Sequence, residues 1–176
     1  MSRRNLVATL ALAALAGCSS GETKPEAAKR RVVADADVPK PILDSFAKSY
    51  PTGKTLGWSE RKNVYKARAQ DSGKWLEVSF EASGAIKEAS CQEAVDSAPA
   101  AVKTAFAASP YAKMTFVDGV RKTVPGNDAG TLNKFILKDG DKVVIAVYDD
   151  SGKLVKEKPF AKEKLEKWQG EHSVAR

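Results

Sequence analysis

The feature that most constrains the fold of this chain is an internal repeat. Four residues recur in the same order, at a constant offset of 60 through the third. They are Pro39, Ile42, Phe46 and Tyr50 in the first copy and Pro99, Val102, Phe106 and Tyr111 in the second. The apolar members of each set follow helical spacing, and proline is favoured at the first position of a helix. The repeat predicts two related amphipathic helices, each with one apolar side against a core.

Strand-like segments with glycine turns between them follow each predicted helix. The predicted strands are residues 54–59, 63–69, 74–80 and 85–90 in the first half and 114–117, 132–137, 142–148 and 153–157 in the second. Alternation of apolar and polar residues indicates antiparallel strands with one buried face. The offset between corresponding turn glycines of the two halves is about seven residues larger than the offset between the helices. This difference predicts an insertion with a long hairpin loop at residues 118–131.

The predicted fold class is therefore α+β. Two tandem units, each of one helix packed on a three- to four-stranded antiparallel meander, are expected to form one extended sheet and are followed by a short C-terminal helix. The first unit covers residues 38–90 and the second covers residues 91–160. The C-terminal helix and tail occupy residues 161–176.

The two faces of the first predicted sheet differ in chemistry. In the strand of residues 74–80, Leu76, Val78 and Phe80 alternate with polar positions and are expected beneath the helix, where Trp58 is also expected. The opposite face is expected to present Lys66, Arg68, Trp75 and Glu77. A mixture of aromatic and charged groups is typical of protein-binding surfaces, so these four residues form the candidate protein-binding face.

The second predicted sheet is apolar on both faces. The positions of Trp75, Glu77 and Ser79 in the first unit are taken there by Val143, Ile145 and Val147. The second apolar face is covered by the C-terminal segment, covered by another chain, or exposed as a contact patch. Residues 160–169 are a candidate cover. The apolar side of this short charged helix is formed by Ala161, Leu165 and Trp168.

The N-terminus has the layout of an export signal. Arg3 and Arg4 precede an apolar stretch at residues 6–16, about half of the roughly 20 residues that a spanning helix needs. The sequence Leu-Ala-Gly-Cys that ends at Cys18 resembles a bacterial lipobox. That resemblance implies removal of residues 1–17, acylation of Cys18 with chains such as palmitate, and stable membrane attachment. Cleavage after Ala16, giving a soluble secreted protein, is the alternative.

The predicted location is the cell envelope. Residues 18–37 are polar with balanced charge and would form a lipidated flexible tether, facing the periplasm or the cell exterior. Ser19 after Cys18 resembles an outer-membrane sorting context, which favours the outer membrane if the host has two membranes. The mature chain carries 27 basic and 22 acidic residues without a long run of like charges, so nucleic acid is not an expected partner.

No catalytic constellation is recognisable, and the chain is predicted to be a non-enzymatic protein without cofactor or metal. His172 is the only histidine and lies near the end of the chain, which disfavours a catalytic triad or a histidine-rich metal site. Asp149 and Asp150 border a glycine hairpin, where turn chemistry explains them. Cys91 has no partner once Cys18 is lipidated. It is interpreted as a small buried residue, with an intermolecular disulfide as the alternative.

The order of these motifs resembles the PepSY-like domain family, also described as beta-lactamase-inhibitor-like, over about residues 38–158. In the first half the resemblance rests on Val38-Pro39, Phe46, Tyr50-Pro51, Trp58, Tyr65, Gly73, Val78-Ser79-Phe80 and Gly84. In the second half it rests on Ala98-Pro99, Phe106, Tyr111, Phe135, Tyr148-Asp149 and Gly152. The resemblance implies binding, and inhibition or regulation, of another exported protein. Binding of a small ligand or cell-wall fragment, and a passive assembly or spacer role, are the alternatives.

Overall fold

The computed structural model describes residues 30–126 and 130–172. Nine strands form one continuous antiparallel sheet in which spatial order follows chain order. The strands are β1 (Arg31–Val33), β2 (Lys54–Arg61), β3 (Val64–Asp71), β4 (Lys74–Glu81), β5 (Ile86–Gln92), β6 (Thr115–Thr123), β7 (Thr131–Asp139), β8 (Lys142–Asp149) and β9 (Leu154–Pro159). The helices are α1 (Lys40–Ser49), α2 (Ala100–Ala107) and α3 (Lys162–His172), with 3-10 turns at Asp35–Asp37, Val95–Ser97 and Pro110–Lys113.

The two halves form one extended sheet, as expected. The predicted α+β class with two tandem helix-on-meander units is wrong, because strands dominate the fold and backbone pairing runs from one half into the other without a break. β5 and β6 pair antiparallel from Ala89 opposite Thr123 to Gln92 opposite Val120. Residues 120–123 belong to the predicted insertion, but they extend β6, where their backbone groups pair with strands on both sides. The result is a β-dominated fold with a single sheet.

The positions of the individual strands agree with the sequence prediction, since each predicted segment overlaps one of β2 to β9. β1 was not predicted. It lies within residues 18–37, the predicted tether, and pairs with β2 from Arg31 opposite Glu60 to Val33 opposite Trp58. The end of the predicted tether is therefore part of the folded sheet.

α1 packs on the first half of the sheet. Its apolar side buries Ile42 and Phe46 in a core cluster with Trp58, Val78 and Phe80. The Phe46 ring lies 5.9 Å from the Trp58 ring and 6.4 Å from the Phe80 ring, both edge-on, which is a favourable aromatic geometry. The predicted core position of Trp58 is confirmed, with 3% of its surface exposed.

α2 packs on the second half of the sheet, on the same side as α1. Val102 is fully buried, and Phe106 packs against Phe135 and Tyr148 with ring centroids 5.7 and 6.5 Å apart. The side of the sheet that carries α1 and α2 is named the helix face. Both predicted amphipathic helices therefore bury the apolar side that their spacing indicates.

α3 packs on the other side of the sheet and covers the apolar second face of β7 and β8. The buried residues of this cluster are Ile136, Val143, Ile145, Val147 and Leu165. Phe160 and Trp168 pack against them as partly buried neighbours. Of the three explanations for this face, cover by the C-terminal segment is therefore confirmed. Ala161, expected on the covering side, is exposed instead, because Phe160 beside it makes the contact.

Cys18 and the rest of the predicted signal lie outside the described residues. Across residues 30–126 and 130–172, no helix has the length and apolar character needed to cross a membrane.

Candidate protein-binding face

The side of β2 to β6 that points away from α1 and α2 is polar. Alternation in β4 turns Leu76, Val78 and Phe80 to the helix face and leaves Glu77 and Ser79 on the other side. Strand register brings further polar residues beside them, so that one row runs through Arg68, Glu77, Ser90 and Lys122. We name this surface the polar face. It consists of Ser59, Lys66, Arg68, Glu77, Ser79, Glu88, Ser90 and Lys122.

Two ion pairs hold side chains in place on the polar face. Lys66 Nζ lies 3.4 Å from Glu77 Oε2, and Lys122 Nζ lies 2.8 Å from Glu88 Oε2. All four side chains are partly exposed, so each pair contributes about 0–1 kcal/mol to the free energy of unfolding. Their main effect is to orient charged groups of both signs on an open surface, which favours a partner with complementary charges.

Trp75 shares this side of the sheet but is not exposed as predicted. Only 7% of its surface is accessible, and its ring lies 6.3 Å from the Trp168 ring of α3 in an edge-on arrangement. Trp75 is buried because α3 reaches across the sheet as far as β4. Lys66, Arg68 and Glu77 lie together on the polar face, whereas Trp75 belongs to the contact that holds α3.

Two contacts of the Trp168 side chain hold α3 on the sheet. Trp168 Nε1 donates a hydrogen bond of 2.8 Å to Asp118 Oδ2, and the other carboxylate oxygen of Asp118 accepts from the Gly119 amide at 2.8 Å. Lys134 Nζ lies 4.1 Å from the centroid of the Trp168 ring, within range of a cation–π interaction. Burial, and secondarily the charge of Lys158, lowers the pKa of Lys134. α3 therefore forms a fixed boundary at one end of the polar face.

Sequence reasoning missed Asp118 and Lys134. Asp118 fell within the predicted insertion, so it was not assigned to a strand. No local signal identifies it, because residues 118–123 show no alternation of apolar and polar side chains.

A groove of about 410 Å³ opens on the helix face, over the junction of the two halves. Its lining includes Tyr50, Asp71, Lys74, Cys91, Arg121 and Thr123. Arg121 is held by Asp150 at 3.1 Å and by Glu93 at 3.9 Å, and Asn133 Nδ2 donates to Asp150 at 2.9 Å. The polar groups of Arg121 are thus largely engaged within the protein.

Cys91 in this groove is half-buried and free. Burial raises the pKa of its thiol, and the nearby Glu93 carboxylate raises it further. At neutral pH the thiol is therefore protonated, a form that is a poor nucleophile.

Of the two aspartates in the hairpin between β8 and β9, Asp149 serves the turn, whereas Asp150 pairs with Arg121 and Asn133 instead. Asp149 Oδ1 accepts hydrogen bonds from the backbone amides of Ser151 and Lys153, each at 3.0 Å. The hydroxyl of Ser151 also donates to this oxygen and lowers the pKa of Asp149. In the described part of the chain, no group of three or more His, Cys, Asp or Glu side chains could hold a metal ion.

Comparison with known proteins gives a fold relationship. No protein-family model and no curated protein matches the chain. Among solved structures, a BLIP-like protein from Bacteroides fragilis matches with a TM-score of 0.60 and 27% identity, over 70% of this chain and 86% of that one. This chain has a BLIP-like fold.

Two further solved structures are similar in fold to this chain. A protein from Bacteroides eggerthii, described as periplasmic, matches with a TM-score of 0.60 and 21% identity, over 73% of this chain and 94% of that one. A DUF2874 family protein from Bacteroides ovatus matches with a TM-score of 0.58 and 21% identity, over 69% of this chain and 86% of that one.

Proposed function

We propose that this chain is a non-enzymatic lipoprotein of the cell envelope, which binds another exported protein through the polar face and inhibits or regulates it. Acylation of Cys18 would tether it to a membrane, with the folded chain facing the periplasm or the cell exterior. In a host with two membranes, Ser19 favours the outer membrane.

The observation that carries this proposal is the contrast between the two sides of the sheet. On the helix face, α1 and α2 cover the apolar cores of the two halves, and α3 covers the far part of the opposite side. The polar face lies beside α3 on that opposite side and stays open. Its ion pairs orient charges of both signs across β3 to β6. Such a surface is suited to charge-selective protein recognition.

The comparisons support the envelope location and the binding role. The fold is shared with a BLIP-like protein and with a protein described as periplasmic. The motif order that resembles PepSY-like domains points in the same direction, because that family is found mostly in exported bacterial proteins without established chemistry.

The proposal is tested by placing a photo-crosslinking amino acid at Ser90, at the centre of the polar face, in cells of the native host. We expect one envelope protein to crosslink at this position and to be lost when Lys66→Glu and Arg68→Glu are combined in the same chain. These two substitutions invert charges on partly or fully exposed side chains and should leave the fold intact.

The matched control carries the crosslinker at Lys48, on the exposed side of α1. The same crosslinked protein at Ser90 and Lys48, or a Ser90 crosslink that survives the double charge inversion, would contradict the assignment of the polar face. Absence of any crosslink from Ser90 would favour the passive spacer role.

A second candidate function, small-ligand binding, is favoured by the groove on the helix face. Its volume of about 410 Å³ lies within the usual range of small-molecule sites. A ligand at 100 times its dissociation constant would raise the free energy of unfolding by about 2.7 kcal/mol. Thermal stabilisation by soluble cell-wall fragments that is lost on Lys74→Ala would support this function over protein binding.

A further inference from the structure

A small pocket of about 200 Å³ lies on the polar face, toward the edge of the sheet formed by β1 and β2, and shares Ser59, Lys66 and Ser79 with that face. Its lining consists of Arg30, Ser59, Arg61, Val64, Lys66 and Ser79. Strand register builds it, because Lys66 stands between Ser59 on β2 and Ser79 on β4. Arg61 lies opposite Val64 on the next rung, and Arg30 directly precedes β1.

The lining of this pocket carries three cations and no carboxylate. Three acidic side chains near it in the register are each paired with a cation, two of them outside the pocket and one with Lys66 of the pocket. Glu60 pairs with Arg31 at 3.6 Å, and Glu81 pairs with Lys87 at 3.5 Å. Glu77 pairs with Lys66 at 3.4 Å. Within the described residues, Arg30 and Arg61 have no ion-pair partner, so the pocket keeps a local excess of about two positive charges.

We propose that this pocket binds phosphate, either as inorganic phosphate or as a phosphate monoester. A phosphate monoester carries a charge of about −1.5 to −2 at neutral pH, which matches the excess left by Arg30 and Arg61. Guanidinium groups bind phosphate oxygens through paired N–H donors, and serine hydroxyls supply further donors. Ser59 and Ser79 flank Lys66, so donors converge on the pocket from two sides.

A carboxylate fits the pocket less well. It carries one negative charge and two acceptor oxygens, and one guanidinium satisfies both in a bidentate contact. The second arginine and the two serine hydroxyls would then have no acceptor on the ligand. Charge and donor count together therefore favour a tetrahedral, doubly charged anion.

Amide NMR of the full chain carrying Cys18→Ser tests the proposal during titration with inorganic phosphate. We expect saturable shifts at Ser59, Val64 and Ser79. Combining Arg30→Ala with Arg61→Ala should weaken binding by about 100-fold, since each lost charge-assisted contact accounts for about tenfold. Lys48→Ala removes one positive charge from α1 and is expected to leave the affinity unchanged.

Three results would overturn the phosphate site. One is absence of saturable shifts at the pocket amides. Another is equal weakening by Lys48→Ala and by the arginine double variant, which would indicate a nonspecific charge effect. The third is equal affinity for acetate and phosphate at matched ionic strength.

Sedimentation with vesicles distinguishes a lipid headgroup from a soluble phosphate as the ligand. Vesicles of phosphatidylcholine with and without phosphatidic acid are sedimented with the same chain and with the arginine double variant. Pocket-dependent binding to phosphatidic acid supports a lipid headgroup as the source. Phosphate shifts at the pocket without any such vesicle binding support a soluble phosphate. The arms need no protein partner, and the arginine substitutions spare Lys66 and Arg68, so failure here leaves the proposed protein-binding function standing.

Discussion

The two halves of the sheet are alike on the helix face and different on the other side. β4 and β8 have the same length, and each places its buried aromatic or aliphatic residues under a helix. On the other side, Glu77 and Ser79 in β4 correspond to Ile145 and Val147 in β8. The polar pair leaves its half of the sheet open, whereas the apolar pair is covered by α3.

This difference shows how little sequence change converts a covered face of a sheet into an open one. Alternate positions of one strand set the chemistry of its two sides independently. An apolar second side must be buried, and the chain supplies α3 for this purpose through Leu165 and Trp168. A polar second side needs no cover and is available to a partner.

Exchanging the side chains at the corresponding positions 145 and 77 should produce the largest change in stability. Ile145→Glu places a carboxylate beneath α3 at a position that is 3% exposed, and we expect it to lower the free energy of unfolding by about 4 kcal/mol. Glu77→Ile makes the reverse change on the open side and should alter stability by less than about 1 kcal/mol. Urea denaturation measures both.

Limited proteolysis sharpens this test. Ile145→Glu should release α3 and expose the chain after β9 to cleavage, whereas Glu77→Ile should not. Equal losses of stability in the two variants would mean that the two sides of the sheet are covered to the same extent, and would contradict the comparison.

A second test concerns a feature that the halves share, a hairpin glycine packed against a helix. Gly84 and Gly152 each lie in a hairpin that meets a helix. A Cβ atom at Gly84 would come 2.6 Å from the Pro41 carbonyl oxygen, and one at Gly152 would come 2.5 Å from that of Ala101. Both glycines also have positive φ, at 90° and 86°. Alanine at either position should therefore cost about 3 kcal/mol, through backbone strain and displacement of the helix.

Gly73 provides the matched control for both glycines. Its φ is 79°, but a Cβ atom there meets nothing within 4 Å. Gly73→Ala should therefore cost about 1 kcal/mol, which is the strain alone. Thermal unfolding of the three variants separates the two contributions. If Gly84→Ala and Gly152→Ala differed widely from each other, the helix contacts of the two halves would not be equivalent in energy.

Local sequence signals were sufficient to predict β2 to β9 in approximate position and the two helices on the helix face. Turn glycines at Gly73 and Gly152 mark hairpins, and period-two alternation identifies the buried side of β4. One extended sheet was expected, but the strand pair that joins its two halves was not identified, because the pairing of β5 with β6 joins residues about 30 positions apart and leaves no local pattern. The loop predicted around Pro125-Gly126 was also begun too early in the chain, so the last residues of β6 were assigned to the loop.

The candidate face could be predicted only in part. Alternation correctly placed Lys66, Arg68 and Glu77 on one side of the sheet, with Trp75. It gave no information on what covers that side. The contact between Trp75 and Trp168 spans most of the folded chain, so the burial of Trp75 follows from tertiary packing alone.

The smallest expected effect concerns the tyrosines that follow the two helices. Tyr111 is buried, and burial together with a hydrogen bond to Glu157 raises its pKa to about 12. Tyr50 is half-buried, and its pKa is raised mainly by burial, then by Cys91 and Asp71. Since an unfolded tyrosine titrates near 10, the native state holds the Tyr111 proton more tightly than the unfolded chain does.

The contribution of Tyr111 to stability is therefore fully present below pH 10 and is lost as the pH rises toward 12. Tyr111→Phe should cost about 1 kcal/mol at neutral pH, through loss of the hydrogen bond to Glu157. It should also flatten the fall in stability above pH 10, which urea denaturation across that range would show. Tyr50→Phe is the control, because its phenol is more open to solvent and should affect that slope less. A slope that is unchanged by Tyr111→Phe, with Tyr111 absorbance titrating near 10, would mean that the carboxylate of Glu157 does not hold this phenol and that the tyrosines of the two halves are equivalent.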